Sequence, residues 1–132
     1  MLVFCEKLMP QVLRMYATED WNQQSDFEGF ERILDECIER GEKIIILFSH
    51  PDPPEHSTFP PFSILMVLIS KLFLLKPKLK LAVKFNIIHL QDEEARDNVN
   101  LILQYYTPAN QTHVVETKEE AAELINSGVA TS

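Results

Sequence analysis

Lys43–Phe48 reads KIIILF, and this run narrows the possible folds more than any other stretch. Five successive apolar side chains follow the lysine without a polar interruption. The run is too short for a stable helix, and its three isoleucines favour extended backbone. Successive side chains of a strand point to opposite faces, so both faces of this one need apolar cover. Strands of that kind lie inside parallel sheets, with helices packed on the two sides. The expectation is an α/β fold with KIIILF as a central strand.

The flanking sequence supplies the layers. Ser25–Gly41, SDFEGFERILDECIERG, predicts a helix with an apolar face of Phe27, Phe30, Ile33, Leu34, Cys37 and Ile38. Ser25 and Glu28 have capping-box spacing. Gly41 falls at the C′ position, where positive φ costs glycine little. Gly29 lies inside the helix, a loss of helix propensity that close packing would offset. Ahead of it, MLVFCEKL and QVLRMYA predict a β-hairpin turning at Leu8–Pro10. Beyond the central strand, PFSILMVLISKLFLL predicts a helix that is apolar almost all round and ended by KPK. LKLAVKFN predicts the next strand, and DEEARDNVNLILQYYTP a helix with Ala95, Val99, Ile102, Leu103 and Tyr106 inward. THVVET predicts a short strand. TKEEAAELINSG predicts the last helix, with Thr117 and Glu120 as a capping box, Gly128 as C′ cap, and the final four residues frayed. The order β-β-α-β-α-β-α-β-α predicts a single domain over residues 1–132, with a mixed, mostly parallel sheet of about five strands and helices packed on it.

Composition closes off several functions. A chain of 132 residues, 45% hydrophobic and 24% charged, can bury one sizeable core. A net charge of −8 argues against nucleic acid as a partner. The apolar helix Phe62–Leu75 falls short of the roughly twenty residues a bilayer requires, and Ser63, Ser70 and Lys71 interrupt it, so no membrane span is expected. No secretory leader is visible, and Cys5 and Cys37 stand far apart, which suits a reduced cytoplasmic setting with two small buried thiols. Charge is banded. Ala17–Glu42 holds nine acids against two arginines, Lys71–Lys84 holds five lysines and no acid, and Asp92–Ser132 holds eight acids against two bases. Such bands either steer an acidic partner or neutralise one another across the folded surface.

Chemistry-bearing residue types concentrate in Phe48–Ser63, FSHPDPPEHSTFPPFS, with five of the eight prolines. His50, Asp52, Glu55 and His56 are the donor types of a zinc or iron site, and so of a metal-dependent hydrolase. Their spacing matches no established ligand pattern, and Pro51, Pro53 and Pro54 favour an extended path that separates side chains. A stiff, solvated connector is the competing reading. Ser49–His50 and His56–Ser57 are chain neighbours, which point apart on extended backbone. There is no G-x-S-x-G elbow and no glycine-rich phosphate loop, so no cofactor is expected. His89 and His113 flank strands and are expected at the surface or half-buried. The helix Phe62–Leu75 has more apolar positions than one covered face needs. Some of Phe62, Met66, Ile69, Phe73 and Leu74 should stay exposed and mark a contact surface, unless Phe59–Pro61 and a neighbouring helix cover them.

The strands KIIILF and KLAVKF, the ending HVVETKEEAAELI and the element order together resemble the STAS domain, the fold of bacterial anti-anti-sigma factors and of transporter tails. They are also similar to the small bacterial STAS/SEC14-type proteins. The resemblance implies a non-enzymatic regulatory domain acting by protein–protein contact. In regulatory members a D-S-[SA]-G-like turn follows the third strand, and its serine is phosphorylated. That tetrad is absent here, and Ser63 is the nearest hydroxyl to the predicted helix start. The combined expectation is a cytoplasmic homodimer or partner-binding domain, with His50, Asp52, Glu55, His56, Phe59, Phe62, Met66 and Phe73 as the contact region. The SEC14-type likeness implies an alternative, an apolar small molecule or lipid held by Phe62, Met66, Phe73 and Tyr105–Tyr106. The metal-dependent hydrolase is a third reading.

Overall fold

The computed structural model describes residues 3–9, 12–17, 23–48 and 70–130, with side chains over 12–15, 28–48 and 70–128. The elements are β1 Val3–Met9, β2 Val12–Ala17, α1 Gln23–Arg40 and β3 Ile44–Phe48, then a helical segment 70–74 and α2 Lys76–Ala82. β4 Val83–His89, α3 Glu93–Tyr105, β5 Thr112–Val115 and α4 Lys118–Ala130 follow. The class is α/β, as expected. Four strands, β2 to β5, run parallel, and β1 joins β2 antiparallel, in the spatial order β1-β2-β3-β4-β5.

β3 meets the demand its sequence makes. Ile44 and Ile46 enter one apolar cluster with Leu13, Met15, Phe30, Leu34, Cys37, Leu79 and Ala82. Ile45 and Leu47 enter a second with Val12, Ile87, Val115, Ala121 and Ile125. The first cluster lies under α1 and α2, and the second under α4. A third, of Leu90, Ala95 and Val99 with Ile88 and Val114 against it, seats α3. Each crossover from β2 to β5 moves one strand in the same direction, so crossovers of one hand put α1, α2 and α3 on one face. Only α4, after the last strand, reaches the other.

A bulge makes this division possible on β4. Ile44 pairs with Val83 and Ile45 with Phe85, so Lys84 is the extra residue. Without it, Val83 and Phe85 would share a face. With it, Val83 joins the first cluster and Phe85 packs on the second. The Lys84 ammonium then donates to the carbonyl oxygen of Gly128 on α4.

Helix ends follow local chemistry. Gly41 has φ +69°, its N–H donates to the Ile38 carbonyl (3.2 Å), and the Glu42 N–H donates to that of Cys37 (2.9 Å). These are the paired bonds of a Schellman motif. The Asp92 carboxylate accepts from the Ala95 N–H at 2.9 Å, with Glu93 and Glu94 in the first turn where the helix dipole favours them. The Thr117 hydroxyl accepts from the Glu120 N–H at 3.2 Å.

Several expectations need correction. The first helix begins at Gln23, so Ser25 lies inside it and not at its cap. KPK stops nothing: the chain turns at Leu75, and α2 starts with Pro77 in its first turn, where a missing N–H costs nothing. LKLAVKFN is therefore half helix. The alternation of Lys76, Lys78 and Lys80 imitates a strand, yet Leu79 and Ala82 are buried at helical spacing. Among the described residues between β3 and β4, two helical segments, 70–74 and α2, stand where one helix was expected. Finally, Gly128 caps nothing and the last helix runs on to Ala130. An ideal Cβ at Gly128 would lie 2.6 Å from the Phe85 ring and 2.9 Å from Ile45 Cδ1, so the glycine lets α4 touch the sheet. Gly29 does the opposite of what its place suggested, since among the described residues nothing lies within 4 Å of a Cβ there.

The two helical glycines should respond with opposite sign. Gly29→Ala is expected to raise the unfolding free energy by about 0.5–1 kcal/mol. Gly128→Ala is expected to lower it, overpacking costing about 1–3 kcal/mol. Urea unfolding followed by circular dichroism reads both, and a stabilised Gly128→Ala variant would show that the α4–sheet contact is not tight.

Candidate functional site

Sites of open α/β sheets collect beyond the carboxyl ends of the parallel strands. At that edge the described residues include Phe48 at the end of β3, His89 at the end of β4 with Leu90 and Gln91 after it, and Glu116 and Thr117 after β5. His89 is buried, 3% exposed, which corrects the surface or half-buried position expected of it. It faces Val115 across the β4–β5 pairing. The Arg96 guanidinium donates to the carbonyls of Leu90 (2.7 Å) and Gln91 (2.8 Å) and lies 3.8 Å from the Glu116 carboxylate. It ties the ends of two strands together and is occupied by doing so. Among the described residues no group of three His, Cys, Asp or Glu side chains is able to hold a metal ion. His113 is half-buried, edge-on to Phe85 with centroids 5.7 Å apart.

The expected contact region divides. His50, Asp52, Glu55, His56, Phe59, Phe62, Ser63 and Met66 lie outside the described residues. Phe73 lies within them, and it is exposed, as is Leu74 at 79%. The Phe73 ring meets that of Tyr106 edge-on, centroids 6.4 Å apart, and the Lys76 ammonium sits 5.9 Å from the Phe73 centroid. Tyr106 is half-buried against the first core cluster, and burial pushes its phenol pKa up. Its neighbour Tyr105 is 86% exposed.

This surface lies at the opposite end of the sheet from His89. α3 starts just after β4 ends and carries the chain back about 20 Å at the helical rise per residue. The side-chain amide of Asn110 then donates to the carbonyl of Val83, the first residue of β4, at 2.9 Å. Tyr105, Tyr106 and Phe73 are thus near the edge where the parallel strands begin.

Two more exposed apolar residues, Leu81 on α2 and Leu101 on α3, were not expected. Leu81 was hidden by the strand reading of its segment. Leu101 is visible in the sequence as the residue of LIL that the inward set Ala95–Val99–Ile102 leaves outside.

Charge is ordered across the same layer. Lys78 of α2 reaches Glu31 (2.6 Å) and Asp35 (2.8 Å) of α1. Hydrogen bonds to Asp35 and then to Glu31 raise the Lys78 pKa above its ordinary range, so Lys78 keeps its charge at neutral pH and loses it only in strong alkali. Part of the basic band is therefore spent inside the chain, as the neutralisation reading expected.

Comparison with family models, curated proteins and solved structures returns no match. Among the described residues no helix is long and apolar enough to cross a membrane.

Surface and support should separate by mutation. Leu74→Ser is expected to change stability by less than about 0.5 kcal/mol, whereas Tyr106→Ala, which touches the core, should cost about 1–3 kcal/mol. Thermal unfolding measures the pair, and equal losses would mean that Leu74 is packed.

Proposed function

We propose that this chain is a non-enzymatic, STAS-like domain that works by protein–protein contact, with another protein or with itself, through the outer surface of its helical layer. One observation carries the reading: Phe73, Leu74 and Tyr105 stand exposed, and the Phe73 ring meets that of Tyr106, the chain neighbour of Tyr105. Contiguous apolar surface of this kind marks a partner. The α/β class, with helices packed on a mostly parallel sheet around β3, supports the STAS-like part of the proposal in its coarse outline. The missing D-S-[SA]-G turn makes contact itself, and not a phosphoserine, the regulatory event. Buried Cys37 and the acidic net charge agree with a cytoplasmic setting.

Among the described residues of the carboxyl edge, the polar side chains named above already have structural work. Arg96 is spent on two carbonyls, and Asp92 and Thr117 cap helices. The apolar-ligand alternative loses Tyr105, which faces solvent.

A photo-reactive amino acid at position 74, introduced in the cells that make the protein, tests the contact. Crosslinked adducts of discrete mass are expected from position 74 and not from Glu123 on the exposed side of α4. Equal or absent adducts at the two positions would remove this surface from the proposal.

A further inference from the structure

The helical layer presents charge in stripes. α1 is acidic and has drawn Lys78 to itself. The stretch 70–82 between α1 and α3 carries lysines and no acid, and its outward residues include Phe73, Leu74, Lys80 and Leu81, with half-buried Lys76 one turn before Lys80. α3 shows the complementary pattern. Glu94, Asp97, Leu101 and Tyr105 recur at three- and four-residue spacing on its exposed side. Among the described residues neither Lys76 nor Lys80 forms an ion pair, and neither do Glu94 and Asp97. The Phe73–Tyr106 contact joins the two halves. One surface thus holds a basic apolar half and an acidic apolar half side by side.

We infer that the occupant of this surface is a second copy of the chain, related by a two-fold axis that lays the basic stretch 70–82 of each copy on the acidic α3 of the other. The inference rests on the protein-contact reading and names its partner. A two-fold interface uses the same patch twice, so the patch must be complementary to itself. This one is: Lys76 and Lys80 face Glu94 and Asp97 in two symmetric places, while Phe73, Leu74, Leu101 and Tyr105 close over the centre. An unrelated acidic partner would answer only the basic half and leave Leu101 and Tyr105 in water. An anionic bilayer would be opposed by the acidic half and by the net charge of −8.

Charge exchange in the full chain tests the pairing, read by sedimentation velocity. The wild type is expected to dimerise in the micromolar range. Lys76→Glu with Lys80→Glu, and separately Glu94→Lys with Asp97→Lys, should each weaken dimerisation about a hundredfold by facing like charges. Mixed in equal amounts, the two variants should dimerise again, since each supplies the charge the other lacks. Unchanged melting temperatures confirm that the variants fold; should either double variant melt early, Lys80→Glu and Asp97→Lys replace them singly. A wild type that stays monomeric to near-millimolar concentration overturns the second copy as occupant. Adducts to a different protein at position 74 would then leave the contact reading standing. A dimer indifferent to both charge reversals, or a mixture that fails to reassociate, overturns this pairing of halves.

Discussion

The fold turns on the two-sided burial of β3. Four successive side chains, Ile44 to Leu47, have almost no solvent exposure, and they alternate between two apolar clusters. Neither face is left uncovered. α1 and α2 answer for Ile44 and Ile46, while α4, arriving from the far end of the chain, answers for Ile45 and Leu47. Folding therefore requires the last helix as much as the first, and a chain cut before α4 would leave half of its central strand in water. The Lys84 bulge and the bare Gly128 serve the same end. One rephases β4 so that Phe85 meets α4, and the other lets the helix backbone come close enough to be met.

How these elements were legible depends on where their information lies. α1 and α3 carry theirs locally, in periodic apolar residues between a cap and a stop, and their inward faces appear where the sequence put them. β3 does so in a still shorter span. The region after Lys71 does not. Its lysines alternate as a strand would, and only the pull of α1 on Leu79 and Lys78 makes the segment helical. Gly128 misleads for a related reason. A glycine near a helix end reads as a cap, but its purpose is set by Phe85, forty-three residues earlier and invisible to local pattern.

The surface was legible in kind and less so in extent. An excess of apolar residues near Phe73 foretold exposure there, and the excess is real. Its continuation onto Leu101 and Tyr105 depends on which helix lies beside the stretch, a fact of strand order that no single segment encodes. The histidines show the reverse. His89 ends a strand and looked like an edge residue, yet the parallel pairing of β4 with β5 encloses it.

Sheet and surface are connected by a conflict within the stretch 70–82. It buries Leu72, Leu75, Leu79 and Ala82 toward the core, three to four residues apart, which is all that one helical face can offer the sheet. Phe73, Leu74 and Leu81 then fall on the outward side, with α1 packed along one flank of the stretch. Turning at Leu75 does not resolve this; it only changes which way the surplus points. A sequence selected for this domain alone would place polar residues at those positions without loss to the core. Keeping them apolar makes sense if their cover comes from outside the chain, and the charges that flank them, basic on one side and acidic on the other, favour a cover with the same two sides.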